Sequence, residues 1–388
     1  MAYAKITAML LESLETHCFR NTSGKISWGP NLNIIYGDNG QGKTNWLEAI
    51  YLLATTKSFR TQRLQEAVCF GEELAIVRGR VACAQEVHRD LQVAVQSGTK
   101  TLIVNSKREA VTRYLGQLDA IAFTADELEV VRGAPDARRR FLDRGILSLH
   151  HIYVQTLADY NRVIKQKNRL LQDASNAEQS AADVLPLITP WNEQLISLGS
   201  QIHHARAGYV TRLNEVLERR LFGREEVTIR YVSSLEGKGD LSDYESLLAE
   251  RLRLRLPAEI AAGYALVGPH RDDLGILFDG HEIRTYGSSG QQRSALITLD
   301  LAAISLYYSW RREYPLFLID DIDAELDGKR IEHLLKHLEG RTQTFITTSK
   351  ESLVKQYLTR ANVYEVKEGL VAEARLLTNK SMSLVTEA

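Results

Sequence analysis

The chain carries, from residue 37 to residue 44, the sequence Gly37-Asp38-Asn39-Gly40-Gln41-Gly42-Lys43-Thr44. This is the complete pattern G-x-x-x-x-G-K-[S/T] of a phosphate-binding loop. The apolar segment at 31–36 predicts a buried strand before the loop, and the apolar spacing at 44–53 predicts a helix after it. Strand, loop and helix in this order direct backbone N–H groups towards phosphate. We therefore predict that the whole loop binds the phosphates of a nucleotide.

Individual residues of the loop have separate expected roles. Gly40 and Gly42 lack a side chain where the backbone must approach the ligand. Lys43 is expected to reach the β- and γ-phosphates, and the Thr44 hydroxyl is expected to join the coordination shell of Mg²⁺. A chance glycine turn before a helix is the alternative, and the agreement of pattern and context argues against it.

A second segment, far downstream, predicts an apolar strand that ends in two carboxylates: Leu316-Phe317-Leu318-Ile319-Asp320-Asp321. Adjacent residues of an extended chain point to opposite sides. We assign Asp320 to the Mg²⁺ shell and Asp321 to polarising the attacking water, a role that Glu fills more often in related ATPases. Because Asp has a shorter reach, we expect slow turnover. The alternative is that the strand ends in Asp only because it has reached the surface.

A third segment precedes the acidic strand and is followed by apolar residues at helical spacing: Tyr286-Gly287-Ser288-Ser289-Gly290-Gln291-Gln292-Arg293. It resembles the signature loop Leu-Ser-Gly-Gly-Gln of ABC-type ATPases, which contacts the nucleotide bound by the opposite subunit. Ser288, Gly290 and Gln291 are therefore candidate nucleotide contacts, with an ordinary helix N-cap as the alternative. The departures, where the ABC consensus has Leu and Gly, are Gly287 and Ser289.

Two further segments follow in the order expected of such an ATPase. Ala324-Glu325-Leu326-Asp327 resembles the dimer-facing D-loop, and Thr344-Phe345-Ile346-Thr347-Thr348 predicts a buried strand that ends in hydroxyls. An ABC transporter ATPase would have His at the end of that strand. Here either Thr347 or Thr348 occupies the position, and a hydroxyl could contact the γ-phosphate without the same proton chemistry.

Composition limits the class of protein. A chain of 388 residues can form one large α/β domain and a smaller one. The net charge of −1 means that any DNA site must be a local patch. Its three cysteines have no metal-like spacing and are expected to be reduced thiols. Neither a membrane span nor a signal peptide is recognisable, so we expect a cytoplasmic protein without a membrane partner.

The predicted fold class is α/β: an ABC-type P-loop ATPase head assembled from both ends of the chain, with an inserted, mainly helical arm domain. We assign 1–135 and 263–388 to the two parts of the head and 136–262 to the arm. Within the arm, residues 251–256 alternate Arg and Leu as in an amphipathic strand and predict a solvated edge. The first part of the head has short predicted strands at 75–81, 91–95 and 102–104, with a hairpin turn at 96–100.

Over nearly its whole length the chain resembles the RecF family of bacterial recombination-mediator ATPases. The segments that carry the resemblance, besides the ATPase motifs, are Phe19-Arg20-Asn21, Lys57-Ser58-Phe59-Arg60-Thr61, Phe123-Thr124-Ala125-Asp126-Glu127-Leu128, Arg138-Arg139-Arg140-Phe141-Leu142-Asp143 and Gly268-Pro269-His270-Arg271-Asp272-Asp273. Ala125 departs from the usual Pro. The resemblance implies an SMC/Rad50-like head that binds ATP and Mg²⁺, forms an ATP-dependent homodimer and closes on double-stranded DNA. It also implies weak, DNA-dependent ATP hydrolysis that resets the clamp.

The same resemblance implies partners and a place of action. Members of this family act on gapped DNA and at stalled forks, where RecR and RecO help RecA to replace single-strand-binding protein. The candidate DNA contacts in this chain are Arg138, Arg139, Arg140, Lys57 and Arg60. The first three lie in the first turns of a predicted helix, where salt bridges to Asp136 and Asp143 are the alternative. The other two follow the phosphate-loop helix and could face nucleotide or DNA.

Three alternatives to this hypothesis each require a feature that the sequence lacks or leave one unexplained. A transporter ATPase needs a membrane partner and usually the terminal His, and a nuclease subunit needs an additional acidic metal cluster. A small-molecule P-loop kinase would leave the signature loop and the helical arm unexplained. The segment His270-Arg271-Asp272-Asp273 falls short of a usual metal ligand set, so we predict that it supports the structure near the nucleotide pocket or the signature helix.

Overall fold

The computed structural model describes residues 9–83, 87–217 and 226–372. These residues form two compact units, the first comprising the described residues up to 128 and from 303, and the second those from 129 to 302. Both ends of the described chain therefore contribute to the first unit. The limits of these compact units differ from the predicted domain limits at 135 and 262, which stay predictions.

The strands of the described residues are β1 (Leu10–Phe19), β2 (Thr22–Ser27), β3 (Leu32–Tyr36), β4 (Leu74–Ala82), β5 (His88–Gln96), β6 (Thr99–Val104), β7 (Lys107–Arg108), β8 (Ala120–Phe123), β9 (Val227–Val232), β10 (Asp273–Phe278), β11 (His281–Glu282), β12 (Leu316–Ile319), β13 (Thr344–Thr348), β14 (Ala361–Lys367) and β15 (Leu370–Ala372). The α-helices are α1 (Lys43–Thr55), α2 (Val111–Tyr114), α3 (Glu129–Arg132), α4 (Pro135–Leu149), α5 (Tyr153–Asn176), α6 (Ala181–Val216), α7 (Tyr244–Ala262), α8 (Ile283–Tyr286), α9 (Ser289–Arg311), α10 (Ile322–Glu325), α11 (Gly328–Leu338) and α12 (Glu351–Tyr357). Every predicted strand and helix around the three motifs is confirmed.

The first unit contains a mostly parallel sheet with the strand order β15-β14-β3-β13-β12-β8. Strands β13 and β14 pair in parallel with the two sides of β3, and β12 pairs in parallel with β13 and β8. The carboxyl ends of β3, β12 and β13 therefore open on one edge of the sheet, where ligands of α/β folds usually bind. This edge brings together residues that follow positions 36, 319 and 348.

An antiparallel sheet, with the order β2-β1-β4-β5-β6-β7, completes the first unit. Helix α1 is buried along most of its length and contacts strands of both sheets, so its apolar residues join the two sheets in one core. The predicted hairpin turn between β5 and β6 is confirmed. Ser97 and Gly98 both have positive φ, as a two-residue hairpin of type I′ requires.

The second unit combines the sheet β11-β10-β9 with long helices, of which α5, α6 and α7 pack against one another. The polar segment at 172–183 predicts an exposed turn between two helices. The turn between α5 and α6 is exposed but occupies only 177–180, and the rest of that segment is helical. The strand-like interpretation of 251–256 is wrong, because these residues lie inside α7. On the helix, Leu252 and Leu256 share the buried face while Leu254 is 50% exposed.

The segment at 268–273 holds parts of the second unit together. The Tyr160 hydroxyl lies 2.7 Å from His270 Nδ1, and Ser234 N donates to Asp272 at 2.6 Å. Burial lowers the pKa of His270 to about 4, so the ring is neutral at pH 7. These contacts support a structural role for the segment, and its predicted place near the nucleotide pocket or the signature helix stays a prediction. No helix of the described residues is long and apolar enough to cross a bilayer.

Candidate nucleotide-binding site

The loop between β3 and α1 has a backbone that only glycine tolerates at two positions. Gly37 directly follows β3 with φ 156°, and a Cβ there would lie 2.5 Å from the carbonyl oxygen of Val366. Gly42 has φ 106° and forms the N-cap of α1. Gly40, between them, has open space around it. The loop therefore turns sharply from the strand into the helix and leaves its middle accessible to a ligand.

Lys43, the first residue of α1, brings a positive charge into this loop. Its side chain is almost completely buried, and Nζ donates to the carbonyl oxygens of Gly37 at 2.8 Å and Asp38 at 3.0 Å. Both partners are neutral, and no carboxylate of the described residues forms an ion pair with Lys43. A buried charge without a counter-ion is costly. An anionic ligand at the loop would remove that cost.

Thr44 joins the loop to the acidic strand. Its hydroxyl lies 2.9 Å from Oδ1 and 3.1 Å from Oδ2 of Asp320, which is 276 positions away in the sequence. Asp320 directly follows β12, and its N–H donates to the carbonyl of Phe123 at 3.0 Å, at the end of the neighbouring β8. The two segments predicted to form one site therefore meet through a side-chain hydrogen bond.

Of the two threonines that end β13, Thr347 is the one that contacts Asp320 and Asp321. Its Oγ1 donates to Asp320 Oδ1 at 2.7 Å and accepts from the N–H of Asp321 at 2.7 Å. Thr348 instead donates to Asp323 at 2.6 Å. The sequence left open which threonine takes the position of the terminal His, and Thr347 is the one in contact with both carboxylate residues.

Asp321 is placed differently from the extended chain assumed in the sequence analysis. Strand β12 ends at Ile319, and Asp321 has a left-handed backbone with φ 47° at the N-cap of α10. Aspartate adopts this conformation more readily than most residues other than glycine. The direction of its carboxylate is therefore set by the turn into α10 and by the hydrogen bond from its N–H to Thr347.

The donor atoms around Asp320 suit a hard cation. Burial raises the pKa of Asp320, and the hydrogen bonds from Thr347 and Thr44 oppose that shift by stabilising the carboxylate. Carboxylate and hydroxyl oxygens are ligands that Mg²⁺ accepts, usually together with phosphate oxygens and water. No group of three or more His, Cys, Asp or Glu among the described residues could hold a metal by itself. One carboxylate and one hydroxyl beside a phosphate loop fit Mg²⁺ that arrives with its nucleotide.

A charged network beside α1 was not predicted from the sequence. Glu48 is fully buried and accepts from Arg20 at 2.9 and 3.0 Å and from Ser58 at 2.5 Å. Arg60 donates to Asn45 at 2.6 Å. A glutamate within the otherwise apolar helix pattern was the available signal. Beside this network lies a cavity of about 670 Å³ lined by Arg20, Asn21, Asn45, Arg60, Gln65, Glu66, Val68, Cys69, Phe70, Gly71 and Glu72.

The signature segment lies in the second unit and forms an exposed helix N-terminus. The N–H of Ser288 donates to Gln291 Oε1 at 2.8 Å, and the N–H of Gln291 donates to Ser288 Oγ at 3.3 Å. This reciprocal pair is a capping box for α9. Gly290 lies in the first turn of that helix. The capping interpretation is therefore correct for Ser288 and Gln291, and a contact to a nucleotide on another subunit stays a prediction.

Two arginines of the cluster in α4 contact other residues of the second unit. Arg138 is 5% exposed and forms a two-bond ion pair with Asp273, at 2.6 and 2.9 Å. Arg139 donates to the carbonyl of Asp272 at 2.8 Å. The guanidinium of Arg138 is committed to a partner 135 positions away, and its role as a DNA contact stays a prediction.

The remaining candidate DNA contacts are exposed. Arg140 pairs with Asp136 on the surface of α4 and has 57% of its side chain exposed. Asp143, the other predicted acidic partner of the cluster, pairs with Arg206 instead. Lys57 and Arg60 are exposed in the first unit, after α1. Their role as DNA contacts stays a prediction.

Comparison with known proteins places these features in context. The chain matches the model of the family described as RecF/RecN/SMC N terminal domain over residues 10–372. It is 34% identical to the DNA replication and repair protein RecF of Ligilactobacillus salivarius (strain UCC118), over 95% of this chain and 99% of the relative. It is 32% identical to the protein of the same name from Bacillus subtilis (strain 168), over 94% of this chain and 100% of the relative.

Solved structures show the same relationship. A structure of the recombination mediator protein RecF with ATP, described as part of the RecFOR pathway, superposes with a TM-score of 0.85 at 30% identity. The match covers 96% of this chain and 99% of that one. The Smc head domain with a coiled coil and joint derived from Pyrococcus yayanosii has a TM-score of 0.52 at 14% identity over 95% and 98% of the two chains, which shows a shared fold alone.

Proposed function

This chain belongs to the RecF family and has its α/β ABC-type head, and on that premise we propose that it is an ATP-dependent DNA-binding protein of replication and recombinational repair. ATP binding would drive two copies together, head to head, and the dimer would clamp double-stranded DNA at gaps or stalled forks. Slow hydrolysis of ATP would then release the clamp.

The observation that carries the proposal is the contact between Thr44 and Asp320 at 2.9 Å. It supports a single site in which the loop N–H groups and Lys43 bind phosphates, while the Thr44 hydroxyl and the Asp320 carboxylate hold Mg²⁺. The bound ion would neutralise negative charge on the phosphate oxygens. Lys43, already buried at the loop, would exchange its carbonyl partners for phosphate oxygens.

The hydrolytic step would depend on Asp321. We assign its carboxylate to accepting a hydrogen bond from the attacking water and so orienting it towards the γ-phosphate. Thr347 would keep this group in position, because it accepts from the Asp321 N–H and donates to Asp320. The short reach of aspartate supports slow turnover, and stimulation by DNA is part of the proposal.

A second copy of the chain would complete the site. Ser288, Gly290 and Gln291 of that copy would meet the γ-phosphate held by Lys43, so nucleotide would control pairing and pairing would control DNA affinity. The relative solved with ATP is described within the RecFOR pathway. This supports RecR and RecO as partners; action together with RecA, in the cytoplasm, is a further part of the proposal.

The test is light scattering of an Asp321→Asn variant with and without ATP and Mg²⁺. The change should permit binding while slowing hydrolysis, and ATP should convert a monomer to a dimer. Adding Lys43→Ala should abolish ATP binding and pairing together. Adding Ser288→Arg should spare ATP binding and block pairing, whereas Ser309→Arg, exposed near the other end of α9, should affect neither.

Two outcomes would contradict the proposal. A protein that binds ATP and remains monomeric would refute the shared site and favour a P-loop kinase that acts as a monomer. ATP-dependent pairing by the Ser288→Arg variant would refute the assignment of the signature loop, even if the unaltered chain forms a dimer.

A further inference from the structure

The second unit contains a polar groove that neither the nucleotide site nor the signature loop uses. It has a volume of about 640 Å³ and lies between α5 and the end of α7. We call it the arm groove, and its lining residues are Lys165, Asn168, Arg169, Gln172, Ser175, Asn176, Ala262, Gly263 and Tyr264. No acidic residue lines it. The groove therefore offers hydrogen-bond donors and positive charge without a competing carboxylate.

One face of α5 supplies most of these groups. Six of the lining residues lie at positions 165, 168, 169, 172, 175 and 176, a spacing that places them along one side of a helix. Lys165 and Arg169 are exposed, and neither forms an ion pair with a described residue. Arg162, on the same helix but outside the groove, pairs with Asp159 at 2.8 Å. The helix thus leaves its cations without partners only where they face the groove.

The opposite wall is held in place by the main chain. Gly263 ends α7 in a left-handed conformation, and its N–H donates to the carbonyls of Glu259 and Ile260. This cap satisfies the last carbonyls of the helix, which would otherwise repel an anion. Asn168 accepts from the N–H of Ala265 at 2.7 Å, so the two walls are joined at the base of the groove.

Tyr264 completes the rim. Its ring is 46% exposed, and the guanidinium of Arg271 lies 5.2 Å from the ring centre. The rim therefore combines a phenol hydroxyl with a third cation behind the ring. Apart from Ala262 and this ring the lining is polar, so the groove has no pocket for the apolar anchors that commonly bind peptides.

We propose that the arm groove binds backbone phosphates of duplex DNA, through Lys165 and Arg169 as the charged contacts and through side-chain amides as further donors. Cations, amides and tyrosine hydroxyls are the groups that proteins use for phosphate contacts without base recognition. The proposal rests on the proposed function and adds to it a DNA contact that lies on the arm. It assigns no sequence preference to the groove.

The experiment measures the affinity of the full chain, with ATP and Mg²⁺, for a fluorescently labelled duplex over a range of salt concentrations. Each lost phosphate contact should reduce the slope of log affinity against log salt by about 1. Arg169→Gln should therefore lower the slope by about 1. Lys165→Gln combined with Arg169→Gln should lower it by about 2 and weaken binding on the order of tenfold.

Arg162→Gln is the matched control, because it removes one charge from the same helix outside the groove. It should leave the slope close to that of the unaltered chain. All of these side chains are exposed, so thermal unfolding should remain unchanged. Affinity for a fluorescent ATP analogue should also be unchanged, which separates a loss of DNA contact from a loss of nucleotide binding.

The possible failures are distinguishable. A double variant with the slope of the unaltered chain would overturn the arm groove site and leave the proposed function intact. An equal loss in Arg162→Gln would show a diffuse effect of charge and would also overturn the site. An unaltered chain that binds no duplex in the presence of ATP would overturn the proposed function and the groove together.

Discussion

Five carboxylates illustrate two kinds of partner, hydroxyls in the first unit and cations in the second; Glu48 of the first unit, which is fully buried and pairs with Arg20, is an exception. Asp320, which follows β12, accepts hydrogen bonds from the hydroxyls of Thr44 and Thr347. Asp119, which precedes β8, accepts from the hydroxyl of Tyr307.

In the second unit three carboxylates pair with cations, whereas the buried Asp272 accepts from the Tyr231 hydroxyl and the Ser234 N–H. The three ion pairs compared are Lys167 with Glu259 at 2.7 Å, Arg138 with Asp273 at 2.6 Å and Arg206 with Asp143 at 2.8 Å.

The difference separates a structural role from a binding role. An ion pair neutralises its carboxylate within the protein, and breaking the pair leaves an uncompensated charge. Hydroxyl donors stabilise a carboxylate without neutralising it, so the charge remains available to a cation from solution. Asp320 has the second arrangement at the edge of the parallel sheet, where a nucleotide would bring Mg²⁺. Three substitutions test this comparison through the free energy of unfolding.

The largest effect is expected for Lys167→Met. Both side chains of its ion pair are fully buried, so the substitution would strand the Glu259 carboxylate in the helical core. We expect a loss of about 3–5 kcal/mol in the free energy of unfolding at pH 7. Equilibrium unfolding in urea measures it.

The double variant Lys167→Met, Glu259→Leu is the control for that prediction. Replacing both charges by apolar groups of similar size should recover most of the lost stability, because no unpaired charge remains. A single variant as stable as the unaltered chain would contradict the structural role assigned to this pair.

A smaller effect, dependent on pH, is expected at Asp119. Burial raises the pKa of Asp119 from 3.8 to about 6, and the hydrogen bond from Tyr307 opposes the shift. Because the folded pKa is the higher one, the stabilising contribution of the protonated group is complete below about pH 4 and is lost as the pH rises through 6. The Asp119→Asn variant, which keeps a neutral group, should gain about 2–3 kcal/mol relative to the unaltered chain between pH 4 and pH 7.

Urea unfolding at several pH values would measure that difference. A stability difference between the two chains that stays constant with pH would show that Asp119 is ionised at an ordinary pKa. The pKa of Asp119 would then be no higher than the pKa of a carboxylate on the surface, although its partner is a hydroxyl.

The smallest effect on stability is expected for Asp320→Asn without nucleotide. Removing a desolvated charge that has only hydroxyl partners should raise the free energy of unfolding by about 1 kcal/mol. The same variant should lose Mg²⁺-dependent ATP binding, measured by fluorescence of an ATP analogue. Destabilisation by several kcal/mol would instead place Asp320 with the structural carboxylates of the second unit.

Local backbone requirements explain why the nucleotide loop was predictable. The turn from β3 into α1 requires glycine at Gly37 and Gly42, so the pattern itself contains the geometry. The strands before and after it follow from short apolar runs, and the hairpin at 97 and 98 follows from its turn residues. Each of these predictions depends on neighbours in the sequence.

Predictions failed where two structures share one local pattern. Alternating Arg and Leu at 251–256 fits a strand, but apolar residues at positions 252 and 256 also share one face of a helix. Packing of α7 against α5 and α6 favours the helix, although Leu254 then remains exposed to solvent. Basic residues at the start of α4 likewise suit either DNA or an ion pair, and the structure gives Arg138 an ion pair with Asp273 that the sequence did not indicate.

The amino-acid sequence alone determined the phosphate loop and the acidic strand, because each is a short run of adjacent residues. The order of such runs along the chain determined the family. Tertiary structure decided which hydroxyl contacts Asp320, how Asp321 is oriented, which arginines are neutralised and which cations of α5 remain open. Those features depend on contacts between side chains that no motif names as partners, such as Arg138 and Asp273, which lie 135 positions apart in the sequence. Spacing along the chain carries no information about such distances, because folding alone sets them.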